Sequence, residues 1–202
     1  MYEIEKNFDL RSGDKDRLLI GATLIGKKSF TDTYYDYGDL RLTRRDYWLR
    51  TRNGKFELKV PINKDSIHDR LTDQYKEIEN EEEVAKCLNI KIETNLAVAL
   101  VKADVRPFAT VTTKRESYKK NSFRLDFDDM DFGFTTLEVE LMVNSPAEIS
   151  QAETRIIEFA KENGISATLG HGKVIEYLFR YRPEHYQDLI DSGVVKKQKL
   201  SY

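Results

Sequence analysis

Charged residues recur two apart along this chain: Glu3 and Glu5 in EIE, Arg50 and Arg52 in RTR, Glu57 and Lys59 in FELKV, Arg124, Asp126 and Asp128 in FRLDFDD, and Glu138 and Glu140 in LEVEL. Trp48 precedes Arg50 at the same spacing, and Arg115 follows Val111 and Thr113. In a strand such residues share one side, so each segment carries a charged face. Ile4, Leu49, Leu58, Leu125, Phe127, Leu137, Val139 and Leu141 alternate with them and form a second, apolar face. The charges are also sorted by sign. Glu3, Glu5, Asp126, Glu138 and Glu140 offer the oxygen ligands preferred by Mg²⁺ or Mn²⁺; crowded without a cation, they would raise one another's pKa. Arg50, Arg52, Lys59 and Arg115 offer planar forks and a point charge suited to phosphate oxygens. The chemistry implied is the binding of several consecutive phosphates between a metal and a cationic clamp.

The elements that must position these residues are short strands and amphipathic helices. Helical patterns cover 14–23, with Asp14 at the N-cap position, and 80–89, acidic at its front as the helix dipole prefers. Others begin near Thr94 and Pro146, and a last one over 172–191 is broken at Pro183. Tight turns at Asn53-Gly54 and Asp131-Phe132-Gly133 join strands into hairpins. The economical fold is α+β: an eight-stranded antiparallel sheet closed into a barrel, with helices packed outside. For any one strand alone, the solvated face of a sandwich fits as well; the sorting of charge by strand favours charged faces turned into a lumen. One domain over 1–202 is expected, with flexible segments at 62–70 and 192–202. In GHGK, Lys173 stands at a helix start, where free amides also favour phosphate.

Charged residues make up 34% of the 202, yet the formal net charge is only −2, which excludes a generic nucleic-acid binder. A lone Cys87 suits a reducing compartment, and with no apolar leader or long apolar run the chain reads as soluble and cytoplasmic. His68, His171 and His185 lack metal-ligand spacing, and there is no P-loop.

Taken in order, EIEK, FTDTYYD, DYWLRTR, FELKVP, YKEI, TKRES, LDFDDMDFG, LEVEL and GKVIEYLFRYRPEHYQDLI resemble the CYTH superfamily, the triphosphate tunnel metalloenzymes, over nearly the whole chain. The resemblance implies a charged barrel tunnel, with Glu3, Glu5, Asp126, Glu138 and Glu140 as metal ligands, direct or through water. It implies phosphate contacts from Arg50, Arg52, Lys59, Arg115 and Lys173, with Glu138 counted at the substrate as well as the metal. Tyr34 and Lys59 match the pair that activates water, and Trp48 matches an aromatic that stacks on a thiazolium ring. The function implied is Mg²⁺-dependent hydrolysis of thiamine triphosphate to thiamine diphosphate and phosphate, by a monomer with neither nucleic-acid nor membrane partners. Tripolyphosphate or nucleoside triphosphate hydrolysis, and a weakly active triphosphate-binding protein, remain alternatives; a cyclase fits less well. One position departs. Where the family carries a lysine after its two glutamates this chain has Asn7, which can donate a hydrogen bond but no charge. Lys6 points to the opposite face and does not replace it. Loss of one charge-assisted contact is worth about 1.5–3 kcal/mol.

Overall fold

The computed structural model describes residues 2–62, 72–165 and 171–196. Most of the segment expected to be flexible at 62–70, His68 included, lies outside the described residues, as do residues 197–202 of the tail. The strands among the described residues are β1 (Tyr2–Phe8), β2 (Thr23–Asp36), β3 (Trp48–Arg52), β4 (Lys55–Pro61), β5 (Asp73–Ile78), β6 (Arg106–Lys120), β7 (Phe123–Met130) and β8 (Phe134–Val143). They form a closed antiparallel barrel in the order β1-β5-β4-β3-β2-β6-β7-β8. The helices are α1 (Asp14–Leu19), α2 (Glu81–Leu88), α3 (Leu96–Lys102), α4 (Ile149–Glu162), α5 (Lys173–Tyr181) and α6 (Pro183–Asp191). None is long and apolar enough to cross a membrane.

Turn chemistry sets the hairpins. Asn53 and Gly54 link β3 to β4 with φ of 50° and 84°, the positive values that a two-residue hairpin turn demands. Between β7 and β8 the same role falls to Gly133, at φ 75°. Helix starts follow their caps: the Asn80 and Asn95 side chains accept from the backbone amides of Glu83 and Val98 and so satisfy otherwise orphaned donors of α2 and α3. At α1 the cap differs from expectation. Gly13, with φ 83°, occupies the N-cap, and Asp14 is buried one position inside, accepting from the Arg11 amide and from Arg17.

The described residues gather into two compact units, drawn from 1–31, 71–76 and 111–176, and from 32–70, 77–110 and 177–202. In the first, Ile4, Phe8, Leu125, Leu137, Val139 and Leu141 are buried on one face of β1, β7 and β8. Helix α4 packs on β1 and β8 and buries Ile149, Ala152, Ile156, Phe159 and Ala160. Each such side chain removed from water contributes about 1.5–3 kcal/mol. With the apolar face claimed by a helix, the alternate residues are turned to the inner face of the barrel wall. The second unit repeats the logic: Leu49, Leu58 and Ile78 share a core with Val84 and Ala85 of α2 and Leu96 and Leu100 of α3. The helical C-terminal region breaks at Pro183, which opens α6 at a position needing no amide hydrogen.

Helix α6 is tied down by a buried polar chain. Asp36 accepts from the amides of Leu42 and Thr43 and from the Thr43 hydroxyl at 2.7 Å, and the same hydroxyl lies 2.8 Å from His185 Nε2. Since the hydroxyl donates to Asp36, the His185 Nε2–H donates to it. Burial lowers the His185 pKa most; Asp36 and Asp188 oppose that, while Arg182 and Arg44 reinforce it. A depressed imidazole contributes stability above its ordinary pKa, about 6.5, and loses it as pH falls toward the folded value. Urea midpoints at pH 7.5 and 5.5 are therefore expected to fall more in the native chain than in His185→Gln; parallel slopes would remove His185 from the pH response.

Candidate triphosphate site

In the first unit, register rather than sequence neighbourhood assembles the charges. Glu5 stands opposite Glu140 and Asn7 opposite Glu138 across β1 and β8; Glu138 and Glu140 in turn face Asp126 and Arg124 on β7. Asp126 and Asp128 then face Ser117 and Arg115 on β6. Directly opposed residues in an antiparallel ladder share a face, so these side chains lie on one side of the wall. Lys6 stands opposite Val139 on the other face, as its parity requires.

Arg115 is the hub of this face. Its Nε and Nη2 donate to the two carboxylate oxygens of Asp128 at 2.5 and 2.6 Å, Nη1 donates to Asp126 at 2.5 Å, and Nη2 also donates to Glu138. Arg115 is 7% exposed, and Asp126 and Asp128 are 2% exposed each, so this is a desolvated ionic cluster. Burial works to lower the guanidinium pKa, but Glu138, Asp128 and Asp126 outweigh it and hold the group well above its ordinary value. For Asp128, burial and the nearby Glu138 win over Arg115 and Lys173, and its pKa is raised. Lys173, at the head of α5, reaches Asp128 at 3.5 Å and stands over the Phe30 ring at 4.8 Å. Arg124 donates to Asp126 at 3.0 Å and lies 3.9 Å from Glu140. Asp128, Arg124 and Ser117 belong to the cluster although they were not expected as site residues; the alternation of Arg124, Asp126 and Asp128 already carried the signal.

In the second unit the expected clamp residues share a face in the same way. Tyr34 stands opposite Arg50, Arg50 opposite Glu57, and Trp48 opposite Lys59. Arg50 donates to Glu57 at 2.8 Å and to Glu77 at 3.5 Å. Arg52 makes a two-pronged contact with Asp32 at 2.8 and 3.0 Å, and Lys59 pairs with Glu77 at 3.4 Å. Asp32, Glu57 and Glu77 are thus counter-ions that sequence reasoning missed; Glu57 and Asp32 had the right parity, while Glu77 needed the pairing of β4 with β5. Burial, aided by Asp32, pushes the Tyr34 hydroxyl up to about 12, so it is a neutral donor near neutral pH. Trp48 is buried on the charged face, its indole donating to Asp46 at 2.8 Å.

The donor set of the first unit is made of hard oxygens, which fits Mg²⁺ or Mn²⁺ in type. Among the described residues no three acidic, histidine or cysteine side chains are gathered at metal-holding distances. The Arg115 guanidinium holds Asp126 and Glu138, supplying the positive charge that their proximity demands.

Comparison with known proteins places these features. A family model described as the CYTH domain matches residues 1–170. The chain is 32% identical to the human protein named thiamine-triphosphatase over 209 aligned positions, covering 95% of this chain and 90% of that one. It is 31% identical to the Macaca fascicularis protein of the same name, covering 98% and 93%. Among solved structures, a protein from Pyrococcus horikoshii OT3 superimposes with a TM-score of 0.63 at 19% identity, covering 89% of this chain and 99% of that one. A protein from Hippeastrum, described as a putative adenylyl cyclase with a dominant triphosphatase activity, gives a TM-score of 0.53 at 16% identity, covering 89% and 94%. These two likenesses concern the fold.

Proposed function

We propose that this chain, which belongs to the CYTH domain family and is a phosphoanhydride hydrolase, acts on thiamine triphosphate, releasing phosphate and leaving thiamine diphosphate. The observation that carries the reading is the agreement of two things: 31–32% identity, over nearly the whole chain, with proteins named for this activity, and a strand register that sorts buried carboxylates and cations onto one face of each unit. We take it to be a cytoplasmic monomer acting on a small molecule.

Little covalent chemistry is needed for phosphoryl transfer to water; positioning and charge stabilisation supply the rate. Arg50, Arg52, Lys59, Arg115 and Lys173 are assigned to phosphate oxygens, with Asn7 giving one uncharged hydrogen bond through Nδ2. Arg115 presents its fork to carboxylates in the structure; an arriving phosphate offers the same bidentate geometry and takes over part of those contacts. Glu3, Glu5, Asp126, Glu138 and Glu140 would hold a divalent cation, Mg²⁺ or Mn²⁺, which when bound supplies Lewis-acid charge to phosphate oxygens. Tyr34, neutral at working pH, orients the attacking water by hydrogen bonding rather than accepting its proton. Lys59, paired with Glu77, stands beside Trp48 in the register and completes the catalytic pair with Tyr34.

Trp48 is assigned to the thiazolium ring. A cation–π contact of about 0.5–2 kcal/mol corresponds to roughly 2–30-fold in KM. Phosphate release from thiamine triphosphate, inorganic tripolyphosphate and ATP, measured side by side with Mg²⁺, tests the assignment. Thiamine triphosphate should give the highest kcat/KM, and Trp48→Phe should lower that value several-fold while leaving tripolyphosphate hydrolysis unchanged. A preference for tripolyphosphate that is indifferent to Trp48 would transfer the function to the inorganic substrate; calorimetric binding without phosphate release would leave a sensor.

A further inference from the structure

Lys27 and Lys28 are consecutive on β2, and the fold treats them differently. Strand β2 runs beside β6 in the barrel; across that pair Thr31 meets Thr112 at 3.1 Å, and Lys27 pairs with Glu116, a carboxylate that Lys15 also holds at 2.8 Å. Thr31 and Lys27 therefore share one face of β2, and alternation turns Phe30 and Lys28 to the other. That second face belongs to the cluster around Arg115. Phe30 is 3% exposed, and its ring centre lies 5.4 Å from the Arg115 guanidinium carbon, 4.8 Å from Lys173 Nζ and 5.2 Å from Lys28 Nζ. Three cations thus gather on one apolar ring. An aromatic ring attracts an ammonium through its quadrupole and engages none of its three N–H donors, so it places the charge without competing with a ligand for hydrogen bonds. Arg115 and Lys173 are buried and both meet Asp128, at 2.5 and 3.5 Å, whereas Lys28 is exposed on the same ring. Consecutive phosphates carry charge along a length, and cations set side by side match it; a lysine supplies the compact point charge.

We infer that Lys28 is a further phosphate-binding residue, whose ammonium takes an oxygen of the polyphosphate chain beside those held by Arg115 and Lys173. This rests on the triphosphate reading above, and the test separates the two. Binding of inorganic tripolyphosphate to the full-length chain is measured by calorimetry in EDTA, where no bridging cation contributes. Lys28→Met keeps an apolar stem of similar length and removes the charge; it should raise the dissociation constant about 5–20-fold, between the weight of an exposed ion pair and that of a buried charge-assisted hydrogen bond. Lys28→Arg, which keeps the charge, should bind nearly as tightly as the native chain. Lys27→Met removes the same charge one residue away on the opposite face and should leave binding unchanged. A native dissociation constant in Lys28→Met, or an equal loss in Lys27→Met, would overturn the inference while leaving the triphosphate reading intact. Absence of saturable tripolyphosphate binding in the native chain would overturn the assignment of Arg115 and Lys173 to phosphate together with it.

Discussion

Arg115→Ala is expected to destabilise the fold by about 3–5 kcal/mol at neutral pH, because it strands Asp126, Asp128 and Glu138 without their shared cation. The loss should depend on pH, with a sign fixed by Asp128. Its carboxyl is already raised above the ordinary 3.8 by burial and by Glu138, against the pull of Arg115 and Lys173. A carboxyl raised in the folded state favours folding below its ordinary pKa and opposes it as pH rises through the folded value. Removing Arg115 widens that gap, so the deficit should be smallest near pH 4 and grow toward neutrality. Chemical denaturation of the native and variant chains across that range measures it. Arg115→Lys should recover part of the loss at pH 7, since a single ammonium restores charge but cannot bridge three carboxylates with the same fork. A deficit independent of pH would show that stacking of the Arg115 guanidinium over the Phe30 ring, rather than its carboxylate partners, holds this wall together.

Glu140→Gln should lower Mg²⁺-supported turnover by about 10²–10³-fold, the cost typical of removing one preorganised charge from a site where charge develops. Glu140 stands opposite Glu5 in the β1–β8 ladder and 3.9 Å from Arg124. Glu138→Gln also removes an acceptor of Arg115, and is expected to lose stability together with rate. Initial rates at saturating Mg²⁺, with thermal unfolding on the same preparations, separate the two. Native rates in both variants would remove the EVE pair from the site.

Much of this was legible in the residues themselves. The closed barrel, the helix break at Pro183, and the shared faces of Glu3 with Glu5 or Arg50 with Arg52 follow from period-two alternation, turn residues and helix signals. Local rules act over two to four residues and need no tertiary context. The α1 cap was misplaced by one residue because Asp14 has the chemistry of a cap, while only Gly13 takes the left-handed backbone there.

By itself, the sequence determined which side chains travel together on each strand and that the charged ones are sorted by sign. Only the tertiary structure decided what those charges do to one another. Parity cannot tell which face a helix will cover, and it cannot align β6 with β7 so that Arg115 lands between Asp126, Asp128 and Glu138. Nor could it show that Glu77 would meet Arg50 and Lys59, or that the side-chain oxygen of Asn7 would be buried without a hydrogen-bond partner. Electrostatic partnership depends on distance in space and on exclusion of water, and register and burial set both.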